Sequence, residues 1–240
     1  MWMICTKECR QFFSSLTGYI AIAIFLLLNG LFLFVFPDTS LLDYGYASLD
    51  GYFRVAPWIF LFLVPTVTMK SFSEEYRSGT FEMLKSYPLT PAQIVWGKFL
   101  GAFSIVFLSL VPTVVYAVSM QRLSAVGGID TGSTIGSYIG LLLLGSVYTA
   151  VGVCTSSFTS NTVVAFLLSA VVCLFFYAGF DAVASMPLFQ NGADYYLQMV
   201  GFNFHYKNIS RGVVDIRDIV YFLGIIYLCA LVSRRNILIR

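Results

Sequence analysis

The chain has 240 residues, of which 58% are hydrophobic and only 11% carry a charge. A soluble domain carries about 25% charged residues, so this composition excludes an ordinary soluble protein and predicts a membrane protein. The formal net charge of +2 is too small to indicate a nucleic-acid partner, and the five cysteines have no spacing that indicates a disulfide framework or a metal site.

Six apolar runs predict membrane-spanning helices, each of which needs roughly 20 residues to cross the hydrocarbon core. They lie at about 18–36, 53–69, 95–119, 133–154, 162–180 and 219–232. The first run is longer than the apolar core of a signal peptide, so we expect it to be a permanent span. Residues 2–13 mix charged and aromatic side chains, as an amphipathic helix at a membrane surface does. We therefore expect an all-α membrane protein with a single domain over residues 1–240.

The basic residues predict how the chain is oriented in the membrane. Nine of the 14 lysines and arginines lie at the two termini, between the second and third spans or, for Lys98, just inside the third. Because cytoplasmic loops carry an excess of Lys and Arg, both termini are expected in the cytoplasm. The segment 181–218 is then extracytoplasmic, and its density of aromatic residues predicts short helices at the outer membrane interface.

One compact charged segment, residues 71–93, separates the second and third spans. Its apolar residues recur at helical spacing, which predicts a helix over about 72–86 that ends before Pro88. Thr90 and Gln93 form a capping-box pattern with Pro91 at the first helical position, so a new helix should start there and continue as the third span. Lys98 is expected to extend its amine toward the cytoplasmic interface. The pattern alone leaves two interpretations open, a docking surface for a soluble partner and an ordinary amphipathic loop helix.

This segment resembles the cytoplasmic motif of ABC-2 type transporter permeases. The similar residues are Glu74-Glu75-x-Arg77-x-Gly79-Thr80-x-Glu82-x-Leu84, then Pro88-Leu89-Thr90 and Lys98. The family's entry helix is similar to Lys7-Glu8-x-Arg10 and Phe12-Phe13-Ser14-Ser15. The stretch from Phe204 to Asp218 is most similar to the permease associated with gliding motility in Bacteroidetes-type bacteria. The resemblance covers essentially the whole chain and departs from the family at Tyr76, where a second basic residue is usual.

The resemblance implies a bacterial inner-membrane permease whose segment 71–93 contains a coupling helix. In the family this helix docks in a cleft of a separate ATP-binding subunit, which binds ATP and Mg. The residues implied to contact that subunit are Glu75, Tyr76, Arg77, Gly79, Thr80, Phe81, Glu82 and Leu84, with a structural joint at Pro88, Thr90, Pro91 and Gln93. A second permease subunit, the same chain or a related one, is implied as a partner, and the subfamily favours a heterodimer. Membrane lipid is the remaining partner.

Other functional classes fit the sequence less well. The sequence contains no Gly-x-x-x-x-Gly-Lys-[Ser/Thr] phosphate-binding loop, so we do not expect this chain to be an enzyme or to hold a cofactor. An ion-coupled transporter usually keeps ionisable residues in its spans, and here the only charged residues in them are Lys98 and, one residue inside the second run, Arg54. The single histidine, His205, falls in the external segment, which disfavours an intramembrane serine protease. The spans are rich in Phe, Leu and Val and lack a polar lining. This fits a hydrophobic or lipid-linked substrate, and fits equally a scaffold that anchors external machinery without transport.

Overall fold

A computed structural model describes residues 1–34, 36, 49–124, 128–186 and 193–239, and within these ranges every regular element is helical. The helices are α1 (Trp2–Ser14), α2 (Leu16–Phe34), α3 (Asp50–Thr68), α4 (Ser73–Ser78), α5 (Thr80–Ser86), α6 (Pro91–Leu110), α7 (Val114–Leu123), α8 (Thr131–Phe158), α9 (Thr162–Leu174), α10 (Phe180–Ala184), α11 (Ala193–Val200), α12 (Phe202–Ser210) and α13 (Ile216–Ile239). This architecture confirms the all-α prediction.

Five stretches of the described residues are long and apolar enough to cross a membrane. They are Asp50–Ser78, Pro91–Arg122, Thr131–Phe158, Thr162–Ala184 and Ile216–Ile239. The helices Trp2–Ser14 and Gly18–Phe34 meet at 74° and supply a sixth if the bent pair counts as one span. The predicted runs therefore correspond to helices, although most extend a few residues beyond the predicted bounds. Pro112 interrupts the third span with a short 3₁₀ turn, because proline cannot continue the helical hydrogen bonding.

Helix α8 forms the centre of the molecule. It packs against α3, α6, α9, α12 and α13, and 83% of its most apolar stretch is buried, against 22% for the stretch that contains α9. Small residues allow this close packing. At Gly152 a Cβ atom would lie only 2.0 Å from Oγ1 of Thr68, so α3 and α8 touch where only glycine fits. The exposed apolar faces of α9 and α13 are left for lipid or a partner.

The end of the molecule farthest from α4 and α5 carries the short helices α10, α11 and α12, which confirms short helices within segment 181–218. Helix α12 is bonded to two spans, through Tyr206 to α3 and through His205 to α13. Tyr206 donates a 2.6 Å hydrogen bond to the carbonyl of Phe53, whose usual helical donor is missing because residue 57 is proline. His205 lies 2.5 Å from Oδ1 of Asp218 and stacks on Tyr221 at the start of α13. Most of the segment between the first two spans lies outside the described residues.

The prediction of one helix over 72–86 is wrong. The structure has two short helices, α4 and α5, joined at Gly79, which has φ of +71°. A non-glycine residue in this left-handed conformation is strained, so the glycine sets the position of the break. Pro88 does end the second helix: α5 stops at Ser86 and Tyr87 is extended, as expected before proline.

Candidate functional site

The segment 71–93, which we call the coupling segment, is attached to the end of the central helix by one side chain. The hydroxyl of Ser156, near the end of α8, accepts hydrogen bonds from the backbone N–H groups of Phe72 and Ser73 at 3.0 and 3.1 Å. The same hydroxyl donates to the carbonyl of Met69 at 3.1 Å. Because Ser156 satisfies backbone groups at the start of α4, that helix cannot move without disturbing α8.

An aromatic cluster holds α4 and α5 together. Phe72 is fully buried, and its ring lies against those of Tyr76 and Phe81. Tyr76 and Phe81 meet edge to face with centroids 4.8 Å apart. Such pairs add about 0.5–1.5 kcal/mol beyond their buried area. The two short helices are thus one packed unit even though Gly79 separates them.

Four charged side chains form an ion-pair network beneath this unit. Lys98 on α6 is only 1% exposed, and its Nζ lies 2.8 Å from Glu8 Oε1 on α1 and 2.9 Å from Glu75 Oε2 on α4. The other oxygen of Glu75 accepts a 2.8 Å hydrogen bond from Lys7, also on α1. Two lysines therefore balance two glutamates. The network connects α1, the coupling segment and the third span.

Further contacts stabilise the positive charge of Lys98. Its ammonium group donates to the carbonyl of Ser71 at 2.5 Å and lies 4.9 Å from the centre of the Phe72 ring. The predicted extension of Lys98 toward the interface is wrong, because these partners keep its ammonium group inside the protein. At Lys7, burial opposes the charged form, but the hydrogen bond and charge of Glu75, with the charge of Glu8, raise the pKa above its ordinary value of 10.5. Lys7 is consequently charged at neutral pH.

Two glycines on α6 bring α1 close enough to take part in the network. At Gly97 a Cβ atom would lie 2.8 Å from the Cβ of Ile4, and at Gly101 it would lie 2.6 Å from the Cβ of Glu8. The spacing Gly97-x-x-x-Gly101 is the small-residue pattern that lets membrane helices approach closely. Helix α1 is therefore packed along α6 and does not simply lie on the membrane surface.

The structure separates the residues predicted to contact the ATP-binding subunit into two groups. Exposed residues are Arg77, Gly79, Thr80 and Glu82, while Tyr76 and Leu84 are half-buried. Glu75 and Phe81 are buried in the network and in the aromatic cluster, so neither side chain is available to a partner in this conformation. The surface that remains is the turn at Gly79 with the outer side of α5.

The joint between the coupling segment and the third span has the predicted geometry. Thr90 Oγ1 accepts a hydrogen bond from the N–H of Gln93 at 3.3 Å, and Gln93 Oε1 accepts one from the N–H of Thr90 at 3.0 Å. Pro91 stands at the first position of α6, and the exposed Pro88 precedes the cap by two residues. The capping box is confirmed, and it fixes where the third span begins.

Sequence reasoning missed two kinds of residue at this site. Met83 and Tyr87 are 70% and 64% exposed and extend the outer surface of α5. The helical spacing of the apolar residues would put Met83 on the buried side of one continuous helix. The break at Gly79 turns α5 so that Met83 is exposed instead. Lys7 and Glu8 were assigned only to the amphipathic helix. The available signal was Lys98 itself, since an ionisable residue in an apolar span needs an opposite charge.

Comparison with known proteins gives a match over nearly the whole chain. The family model described as ABC-2 family transporter protein matches residues 2–223, which include α1, the coupling segment and the first five predicted spans. No curated protein matches the chain.

Proposed function

The chain belongs to the ABC-2 family of transporter proteins, and from this premise we propose that its coupling segment docks on the ATP-binding subunit and transmits movement to the spans. Members of this family are membrane permease subunits that do not themselves hydrolyse ATP, so an ATP-binding partner subunit is implied. ATP and Mg would bind to that partner. The finer steps below are supported by the geometry of the coupling segment.

The observation that carries the proposal is the contrast between the two sides of the coupling segment. Its outer side is a small exposed surface that contains Glu82, Met83 and Tyr87. Its inner side is attached to α8 through Ser156 and to α1 and α6 through the ion-pair network. A surface loop helix without function would not need this attachment. Because of this attachment, a force applied to α5 would be transmitted to α1, α3, α6 and α8 together.

We propose the following orientation and cargo. Both termini and the coupling segment lie in the cytoplasm of a bacterial cell, and the protein works in the inner membrane beside a second permease subunit. The apolar spans favour a hydrophobic or lipid-linked substrate that enters from the side. A role in gliding motility or secretion is proposed from the resemblance of residues 204–218 to the gliding-motility permease.

The test is co-purification of the ATP-binding subunit with tagged Glu82→Arg protein from native membranes in mild detergent. Glu82 is exposed, so reversing its charge should leave insertion intact while removing a contact with a basic group on the partner. We expect at least a tenfold loss of the co-purified ATP-binding subunit. Arg122→Glu is the matched control, because it reverses an exposed charge at the opposite end of the molecule.

Gly79→Ala tests the same surface without changing its charge. No atom lies within 4 Å of the position that a Cβ would take, so the only penalty is the strained backbone, about 1–2 kcal/mol. We expect weaker retention of the partner and normal insertion. Full retention by both Glu82→Arg and Gly79→Ala would overturn the docking surface. A preparation of the unaltered chain without any ATP-binding partner would favour a membrane scaffold.

A further inference from the structure

A polar cavity lies at the end of the molecule opposite the coupling segment. Its volume is about 570 Å³, and it is enclosed by the start of α3, the end of the fifth span and α12. Side chains that line it include Arg54, Trp58, Asp181, Asn203, Lys207 and Arg211. Arg54 lies near the start of the second span and Asp181 near the end of the fifth, where lipid head groups are expected to meet protein.

The charges in this cavity leave two arginines for a ligand. Asp181 accepts a 2.6 Å hydrogen bond from Asn203 and lies 3.5 Å from Lys207. Asp50 also lines the cavity, so three basic groups face two carboxylates. Within the part of the chain that the structure describes, Arg54 and Arg211 are exposed and form no ion pair. Guanidinium groups in a concave site match the geometry of a phosphate.

An apolar groove adjoins the polar cavity. It has a volume of about 690 Å³ between α2 and α3, and Trp58 lines both spaces. Along α3 the groove extends from Val55 to Thr66, which corresponds to about 16 Å at 1.5 Å per residue. The hydroxyl of Thr66 already donates to the carbonyl of Phe62, so the groove offers no unmet polar group there. Its length is about half of a hydrocarbon core of about 30 Å.

We propose that the cavity and the groove together bind one anionic phospholipid. The phosphate lies between Arg54 and Arg211, and an acyl chain follows α3 past Trp58 into the groove. A second copy of this chain would cover the groove but would not account for the adjoining arginines. A groove as deep as one leaflet, with cations at its head-group end, fits a lipid. The inference rests on the proposed function only in one respect, which is that the proposed orientation assigns the site to the extracytoplasmic leaflet.

Native mass spectrometry of the full-length protein, released from detergent with added phosphatidylglycerol, tests this site. We expect one tightly retained lipid, and weaker retention of phosphatidylcholine added at the same concentration. A basic group near a membrane surface is worth about fivefold in binding an anionic lipid. Arg54→Gln and Arg211→Gln should therefore each weaken retention about fivefold. Arg122→Gln is the control, since it removes an exposed cation at the same end but outside the cavity.

A second variant and a soluble competitor test the acyl-chain part. Ile24 is exposed in the groove, so Ile24→Trp should fill the space without disturbing the core, and should reduce phosphatidylglycerol retention while the protein stays monodisperse. Inorganic phosphate should not displace the lipid. The proposal is overturned if both arginine variants retain the lipid as the control does, if phosphatidylcholine binds equally well, or if Ile24→Trp has no effect. Displacement by phosphate would also overturn it and indicate a site for a free anion.

These measurements use the permease chain alone, so they are independent of the docking experiment. Loss of lipid with normal retention of the ATP-binding subunit would be expected for Arg54→Gln. For Glu82→Arg we expect normal retention of the lipid and loss of the ATP-binding subunit. Either proposal can therefore fail without affecting the other.

Discussion

Lys98 is the residue whose environment differs most from what its sequence position suggests. Transfer of a lone charged lysine from water into an apolar span costs several kcal/mol of free energy, unless opposite charges compensate. Glu8 and Glu75 supply that compensation at 2.8 and 2.9 Å, and Ser71 adds a carbonyl. The contact of Lys98 with Glu75 is close but lacks the alignment of a hydrogen bond, whereas Lys98 donates to Glu8 and Lys7 donates to Glu75 in directed hydrogen bonds.

Replacing Lys98 tests the network at the level of one residue. Lys98→Met should destabilise the protein by about 3–5 kcal/mol, because both carboxylates are 16% exposed or less and lose their shared cation. Thermal unfolding in detergent, followed by fluorescence size-exclusion chromatography, would measure the loss. Lys85→Met is the control, because Lys85 is exposed on α5 and such surface changes stay within about 0.5 kcal/mol.

A double variant separates lost charge balance from lost packing. Adding Glu8→Gln to Lys98→Met removes the carboxylate that is left without a cation, because Glu75 keeps its hydrogen bond from Lys7, so the double variant should be more stable than the single one. If Lys98→Met unfolds at the same temperature as Lys85→Met, the ion pairs contribute nothing measurable. If the double variant shows only additive losses, the two residues are not coupled.

The sequence could not predict the partners of Lys98, because nothing local encodes them. Glu8 lies 90 residues before Lys98, and their contact depends on how α1 is placed against α6. The capping box at Thr90 is different, since all of its donors and acceptors fall within three residues. The capping box was therefore predicted correctly, while the charge pairing across the fold was not. Phe81 and Glu75 illustrate the same limit. Phe81 is buried by contacts with Phe72 and Tyr76 across the break at Gly79, and Glu75 by the ion-pair network with α1 and α6.

At the scale of elements, the contact between α1 and α6 connects the N-terminal helix to the coupling segment. Amphipathic composition predicted the helix correctly but said nothing of its neighbour. The Gly97-x-x-x-Gly101 spacing was a readable signal, since small residues four apart commonly mark a close helix contact in membranes. Combined with the ion pairs of Lys7 and Glu8, it makes α1 part of one unit with α4, α5 and α6.

Enlarging one glycine should separate α1 from α6. Gly97→Leu would place its Cβ 2.8 Å from Ile4 and 3.0 Å from the carbonyl of Met1, so α1 must shift. Cys5, which is buried in this contact, should then react faster with a maleimide than it does in the unaltered protein. Mass spectrometry of the labelled peptide gives the rate.

Gly224→Leu provides the matched control for the same measurement. No atom lies within 4 Å of the position that a Cβ would take at Gly224, so the added side chain enters open space on α13. The rate at which Cys5 is labelled in Gly224→Leu should equal the rate in the unaltered protein. Equal labelling of Cys5 in Gly97→Leu would mean that α1 can accommodate the side chain without leaving α6.

At the scale of the whole molecule, the two proposed sites lie at opposite ends of the same helical bundle. The coupling segment is attached to the end of α8 at Ser156, while the polar cavity is lined near the start of that helix by Ser137. Helix α3 likewise begins at the cavity and leads into the coupling segment. Burial of α8 and its close contact at Gly152 make it a rigid connection between the two ends. A movement of the coupling segment should accordingly change the cavity as well.

The orientation of this bundle determines whether both proposals can act together. Nine basic residues at the coupling end and five at the other predict that the coupling end is cytoplasmic. In a variant whose native cysteines are replaced by alanine, Val213→Cys should react with a membrane-impermeant maleimide applied to intact spheroplasts. Thr80→Cys should react only after permeabilisation, and both positions are exposed. The reverse pattern would place Glu82 outside the cell, where no ATP-binding subunit could reach it. The docking proposal would then fail, while the lipid site would remain and move to the inner leaflet.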